Sequence, residues 1–131
     1  MRILIVEDDI VSRALLARLL SSYGQCDIAS NGREAMELLT KGLDSGTPYH
    51  LVCLDIMMPF MNGLEVLREL RNEESTRKIS GGKAAKVIMT TALSEGKNLQ
   101  EAFDAGCGAY LVKPIVHDDL LRILSELGIR R

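Results

Sequence analysis

The stretch "LVCLDIMMPFMNG", residues 51–63, decides how the chain is read. It opens with a continuous apolar run, Leu51-Val52-Cys53-Leu54, as expected of a strand buried on both faces. It closes on Asn62, which has Glu65 three residues on, a capping-box start for a helix. Between the two stands Asp55. A carboxylate beside a core is costly unless it has a partner, a metal or a chemical task. A strand, a short loop and a helix make one β–α unit, and the question is whether the unit repeats.

It does. Apolar runs recur at residues 3–6, 26–29, 51–54, 87–89 and 109–112. The first helix is expected over about 10–23, with Val11, Ala14, Leu15 and Leu19 facing inward. The second opens on Asn31 with Glu34, the third on Asn62 with Glu65. The fourth runs to about 105, buries Leu99, Ala102 and Phe103, and is stopped by Gly106. The fifth starts near Asp118 and Asp119, acids suited to the positive end of a helix dipole, and ends before Gly128. Its inward residues are Leu120, Leu121, Leu124 and Leu127. Five such units predict an α/β fold: a parallel sheet with right-handed crossovers and helices on both faces. Polar stretches at 41–50 and 71–86 read as long surface loops. The second carries Gly81-Gly82 and five basic residues, so a partner contact is its other reading.

The 131 residues, 47% of them hydrophobic, fit one domain spanning 1–131 with its core in 2–127. Net charge is −2 with both signs dispersed, so no basic stripe offers itself to nucleic acid. The start, "MRILIVEDD", is too short in apolar residues for a signal peptide, and no run approaches a membrane span. Cys26, Cys53 and Cys107 are odd in number and widely spaced, which suits reduced thiols in a cytoplasmic protein.

In an open parallel sheet, ligands bind beyond the carboxyl ends of the strands. The residues there are Glu7-Asp8-Asp9, Asp55, Thr90-Thr91-Ala92 and Lys113-Pro114. Clustered carboxylates repel and call for a cation. An all-oxygen set suits Mg²⁺. One carboxylate can act as a nucleophile that forms an aspartyl-phosphate. The metal, a lysine and a hydroxyl would then neutralise the phosphoryl oxygens.

These pieces, "ILIVEDD", "LDIMMPFMNG", "TTA" and "YLVKP" in that order, closely resemble the receiver domain of two-component response regulators over residues 2–127. The resemblance implies a flavodoxin-like (βα)5 fold with strand order 2-1-3-4-5. It implies that Asp55 is the phosphoacceptor. Asp8 would be a direct Mg²⁺ ligand, Glu7 would act mainly through water, and Asp55 and the backbone carbonyl of Met57 would complete the set; Mn²⁺ would substitute. Thr91 matches the switch hydroxyl, Lys113 the phosphate-pairing lysine and Tyr110 the aromatic that changes rotamer. The Lys113-Pro114 bond is expected to be cis. A histidine kinase or histidine phosphotransfer protein would dock on Ile10, Val11, Ala14, Pro114 and Ile115. Output, to a downstream protein left unnamed, would run through the face of helix 4, strand 5 and helix 5, which is also a candidate homodimer surface. No output domain is expected in the chain.

Other readings remain beside these. Asp9 reads as the N-cap of helix 1, although Asp8-Asp9 is an alternative acid pair. Thr90 reads as structural, pointing away from Thr91, and His117 as a capping or solvated residue. A haloacid-dehalogenase-type phosphatase would need an acid where Met57 stands. A nucleotide- or flavin-binding domain would need a glycine-rich first loop, and acids stand there. In the family, the residues two beyond the phosphoacceptor and two beyond the switch hydroxyl tune autodephosphorylation. Here they are Met57 and Leu93, both apolar, which predicts a long-lived phospho-state.

Overall fold

The computed structural model describes residues 1–58, 60–92 and 99–131. Each apolar run becomes a strand and each capped segment a helix. The order is β1 (Arg2–Val6), α1 (Ile10–Leu20), β2 (Gln25–Ala29), α2 (Gly32–Asp44), β3 (Leu51–Asp55), α3 (Gly63–Thr76), β4 (Lys86–Thr91), α4 (Leu99–Asp104), β5 (Ala109–Val112) and α5 (His117–Glu126). The five strands form one parallel sheet in the order β2-β1-β3-β4-β5. The expected fold class and strand order are therefore the observed ones. Among the described residues, no helix is long and apolar enough to cross a membrane.

Because side chains alternate along a strand, the sheet sorts its residues into two cores. Leu4, Val6, Val52, Leu54, Val87 and Met89 pack with Ala35, Leu39, Leu67, Leu70 and Ala102 of α2, α3 and α4. Ile3, Ile5, Leu51, Cys53 and Ile88 pack with Leu16 and Leu20 of α1 and with Leu120, Ile123 and Leu124 of α5. Burial pushes the Cys53 thiol up to about 12, so it is an inert core residue.

One expected capping box is formed in full and the other by half, since the Glu34 carboxylate accepts from the Ser30 hydroxyl. Asn31 accepts from the Glu34 amide at 2.9 Å, and Asn62 and Glu65 close a reciprocal capping box. Four expectations need correction. The buried stripe of α1 is Ser12, Leu16 and Leu20; Val11 and Ala14 are exposed. Phe103 is half-exposed rather than buried, and α5 buries Ile123 where Leu121 was expected. The stretches 41–50 and 71–86 are not wholly loop, since α2 continues to Asp44 and α3 to Thr76. The polar residues that suggested a loop are the charge pairs of α3. Arg71 meets Glu74 at 2.7 Å, and Arg77 meets both Glu73 and Asp44.

Candidate functional site

Glu7 directly follows β1, and Asp55 ends β3. Counting by twos, Glu7 falls on the face of Ile3 and Ile5, Asp55 on that of Leu51 and Cys53, and Lys113 on that of Leu111. Sheet alternation thus delivers two acids and a lysine to the same side, and the strand ends bring them to the same edge. Both acids are buried, Glu7 completely and Asp55 to 3% exposure. The Lys113 ammonium sits between them, 2.8 Å from Glu7 Oε1 and 3.1 Å from Asp55 Oδ2. Exposed Asp8 joins the pair: Glu7, Asp8 and Asp55 each offer a carboxylate oxygen within 4.8 Å of the others.

One lysine does not neutralise this cluster. Burial raises the Asp55 carboxyl well above its ordinary value, and contact with Glu7 raises it further; Lys113 only partly offsets both. Burial alone would lower the Lys113 ammonium, but the Glu7 and Asp55 carboxylates outweigh it and hold it above its ordinary value. The donor set is oxygen-only, open on the Asp8 side and short of positive charge. That chemistry fits Mg²⁺, which favours a few carboxylates and retained waters.

The loop after β3 is built around Asp55. The Met57 amide donates to Asp55 Oδ1 at 3.2 Å, and its side chain is exposed at the mouth. Gly63, the first residue of α3, lies so close to the strand that an added Cβ would collide with the Asp55 carbonyl and Ile56 Cα. The last residue of the quoted motif is therefore glycine because the helix start is pressed against the backbone of the carboxylate-bearing strand end. Asp9, by contrast, is turned away to its capping task. It accepts from the Ser12 amide at 3.1 Å and from the Ser12 hydroxyl at 2.6 Å, which lowers its carboxyl.

The two threonines point to opposite faces of β4, as expected, and it is Thr90 that shares the face of the acids. Thr90 pairs in register with Asp55, and its hydroxyl donates to Glu7 Oε2 at 3.4 Å. Thr91 lies on the opposite face, that of Val87 and Met89, and its hydroxyl donates to the Ala92 carbonyl at 3.1 Å. Thr90, set aside in the sequence as structural, is thus in contact with the acid cluster. Strand parity counted back from Asp55 through the β3–β4 register is the signal that finds it.

The Lys113-Pro114 peptide bond is cis. Tyr110 is part-exposed and meets Phe103 edge-on, with centroids 5.9 Å apart. Of the docking candidates, Ile10, Val11, Ala14 and Pro114 are exposed. Ile115 is not; it is 8% exposed and belongs to the α1/α5 core, because the turn after Pro114 folds it under α5. Leu93 lies outside the described residues.

The profile of the response regulator receiver domain family matches residues 3–125. The chain is 33% identical over 126 residues to two-component response regulator 24 of Arabidopsis thaliana, covering 95% of this chain and 82% of that one. It is 39% identical over 114 residues to the transcriptional regulatory protein ResD of Bacillus subtilis, covering 86% of this chain but only 42% of ResD. Among solved structures, the Saccharomyces cerevisiae Ssk1 receiver domain, crystallised with the histidine phosphotransfer protein Ypd1, matches with a TM-score of 0.82 and 26% identity, over 98% of this chain and 88% of that one. The receiver domain of the Arabidopsis thaliana histidine kinase CKI1, complexed with Mg²⁺ and BeF₃⁻, also matches with a TM-score of 0.82 and 26% identity, over 98% of this chain and 90% of that one.

Proposed function

Since this chain belongs to the response regulator receiver domain family, we propose that it is a phosphorylation-controlled signalling module whose Asp55 accepts a phosphoryl group from a histidine kinase or histidine phosphotransfer protein. The observation that carries this reading is the buried Asp55 carboxylate held 3.1 Å from Lys113, beside Glu7 and Asp8. An Asp55 oxygen attacks phosphorus as the phosphohistidine P–N bond breaks, and the imidazole leaves with the electron pair and takes up a proton. Glu7, Asp8, Asp55 and the Met57 carbonyl would hold Mg²⁺ (or Mn²⁺ in its place), which supplies positive charge for the carboxylates and the phosphoryl oxygens. Lys113, already at Asp55, pairs with the incoming phosphoryl group. That pairing draws the ammonium away from Glu7, where it stands 2.8 Å from Oε1.

The second half of the function is the switch. Thr91 rotates toward the phosphoryl group and leaves space on its own face, and Tyr110 fills that space. Tyr110 is 38% exposed and meets Phe103 edge-on, so its ring has room to move on the solvent side. The face of α4, β5 and α5 then differs between the two states and presents itself to a downstream protein or to a second copy of the chain. Ile10, Val11, Ala14 and Pro114 form the apolar rim on which the phosphodonor protein docks.

The test is intact mass after incubation with acetyl phosphate, with and without Mg²⁺, for wild type and Asp55→Asn. One added phosphoryl group that requires both Mg²⁺ and Asp55 is the expected result; labelling of Asp55→Asn would remove the assignment. The decay of that mass checks a further expectation. Met57 is apolar and cannot orient an attacking water by hydrogen bonding. The phospho-form should therefore outlast a period of seconds, and decay within seconds would refute this.

A further inference from the structure

A second cavity lies at the other end of the sheet. It is formed where the chain enters β1, β3 and β4, one strand length, about 16 Å, from Asp55. Its volume is about 540 Å³, within the range of small-molecule sites. Met1, Pro48 and Ile79 supply apolar surface to it, with Tyr49 and Ile129, 4% and 6% exposed, behind them. The charged residues that line it are Lys83 and Lys86, and no aspartate or glutamate takes part. In a chain of net charge −2, a cavity whose charges are all positive is not an average piece of surface.

The basic stretch 71–86 explains how those charges come to be available. Arg71 is consumed by Glu74, the Ala85 carbonyl and the Gly106 carbonyl. Arg77 is consumed by Glu73 and Asp44. Lys83 and Lys86 form no ion pair among the described residues. Lys83 stands on a short 3₁₀ turn, Gly81–Lys83, and Lys86 opens β4, so both are fixed at the backbone beside the cavity. His50, also in the lining, accepts from the Arg2 amide through Nδ1 at 3.0 Å; its other ring nitrogen therefore carries the proton and is a donor. The cavity lining thus combines apolar residues with two lysines that form no ion pair among the described residues and with His50. This is the complement of a single ligand chemistry.

We propose that this cavity binds an apolar carboxylate: a short aliphatic or aromatic body seated against Met1, Pro48 and Ile79, with its anionic head at Lys83 and Lys86. The site is separate from the acid cluster and does not depend on phosphorylation at Asp55.

The experiment is an NMR titration of the ¹⁵N-labelled chain with octanoate, 1-octanol, octyltrimethylammonium and acetate, for wild type and for Lys83→Gln/Lys86→Gln. Octanoate should shift the amides of Ile79, Lys86 and Ile129 saturably and bind about tenfold tighter than 1-octanol, with acetate and the cationic analogue weaker still. The double variant, altered only in unpaired lysines, should keep the wild-type spectrum elsewhere and lose about tenfold in octanoate affinity. Equal binding of octanoate and octanol would overturn the anionic head. Equal binding of octanoate and acetate would overturn the apolar body. Shifts located away from these amides, or an unchanged affinity in the double variant, would overturn the site.

Discussion

Asp55 is held in a conflict that the free chain does not resolve. Its carboxyl is raised from 3.8 to about 8 by burial first and by Glu7 second. The folded state therefore prefers the protonated form, and its stabilising contribution is complete below the unfolded pKa. It is lost as pH climbs from about 4 towards about 8. Asp55→Asn should remove that slope. In the absence of divalent cations it should be more stable than wild type at pH 8 by about 2 kcal/mol, with no advantage at pH 4. Thermal melting at both pH values checks this. Adding Mg²⁺ should raise the wild-type midpoint more at pH 8 than at pH 5 and leave Asp55→Asn nearly unmoved. At this scale much of the site was legible. Acids and a lysine at strand ends have few inexpensive structural explanations, so the cluster of Glu7, Asp8, Asp55 and Lys113 is readable from position, and the resemblance implies the role of each. The threonines were less legible. Residue type is the same at 90 and 91, and only the pairing of Asp55 with Thr90 tells which hydroxyl shares the acid face.

Helices were legible where a cap and an apolar stripe agreed, and misread where they did not. In α1 the apolar residues are too many to fix a phase, and the true inward stripe contains a serine. Ser12 is tolerated there because its hydroxyl is satisfied by Asp9 at 2.6 Å. The outward turn of Ile10 and Val11 is the by-product, and it leaves apolar side chains at the mouth of the site. The C-terminal half of α3 was hidden by its charges, which turn out to be structural. Glu74 is 3% exposed, accepts from the Ala85 amide at 2.7 Å and holds Arg71, whose guanidinium also grips the Gly106 carbonyl after α4. This clasp ties α3, the start of β4 and the end of α4 together. Arg71→Met should lower the unfolding free energy by about 3 kcal/mol, since it strands a buried carboxylate. Urea denaturation measures it. Arg68→Met, which breaks an exposed pair with Glu101, should cost no more than about 0.5 kcal/mol.

For the molecule as a whole, the alternation of strands and helices implied the parallel sheet, and only the family resemblance implied the strand order. The cavity beside Lys83 and Lys86 was not legible, because it is made by four segments far apart in the chain. The docking rim makes a prediction at this scale. Val11→Asp should leave the melting temperature and labelling by acetyl phosphate unchanged, since Val11 is 75% exposed. It should slow transfer from a phosphorylated histidine phosphotransfer protein by about tenfold, measured by the loss of label from the donor. A further consequence lies in the alternation of the strands. Glu7, Asp55 and Thr90 belong to the α1/α5 side of a single sheet, and Thr91 and Tyr110 to the other. The pleat thus sets the acid cluster and the output surface on opposite faces of one sheet, and Thr91, proposed to turn toward the phosphoryl group, is the residue that joins them.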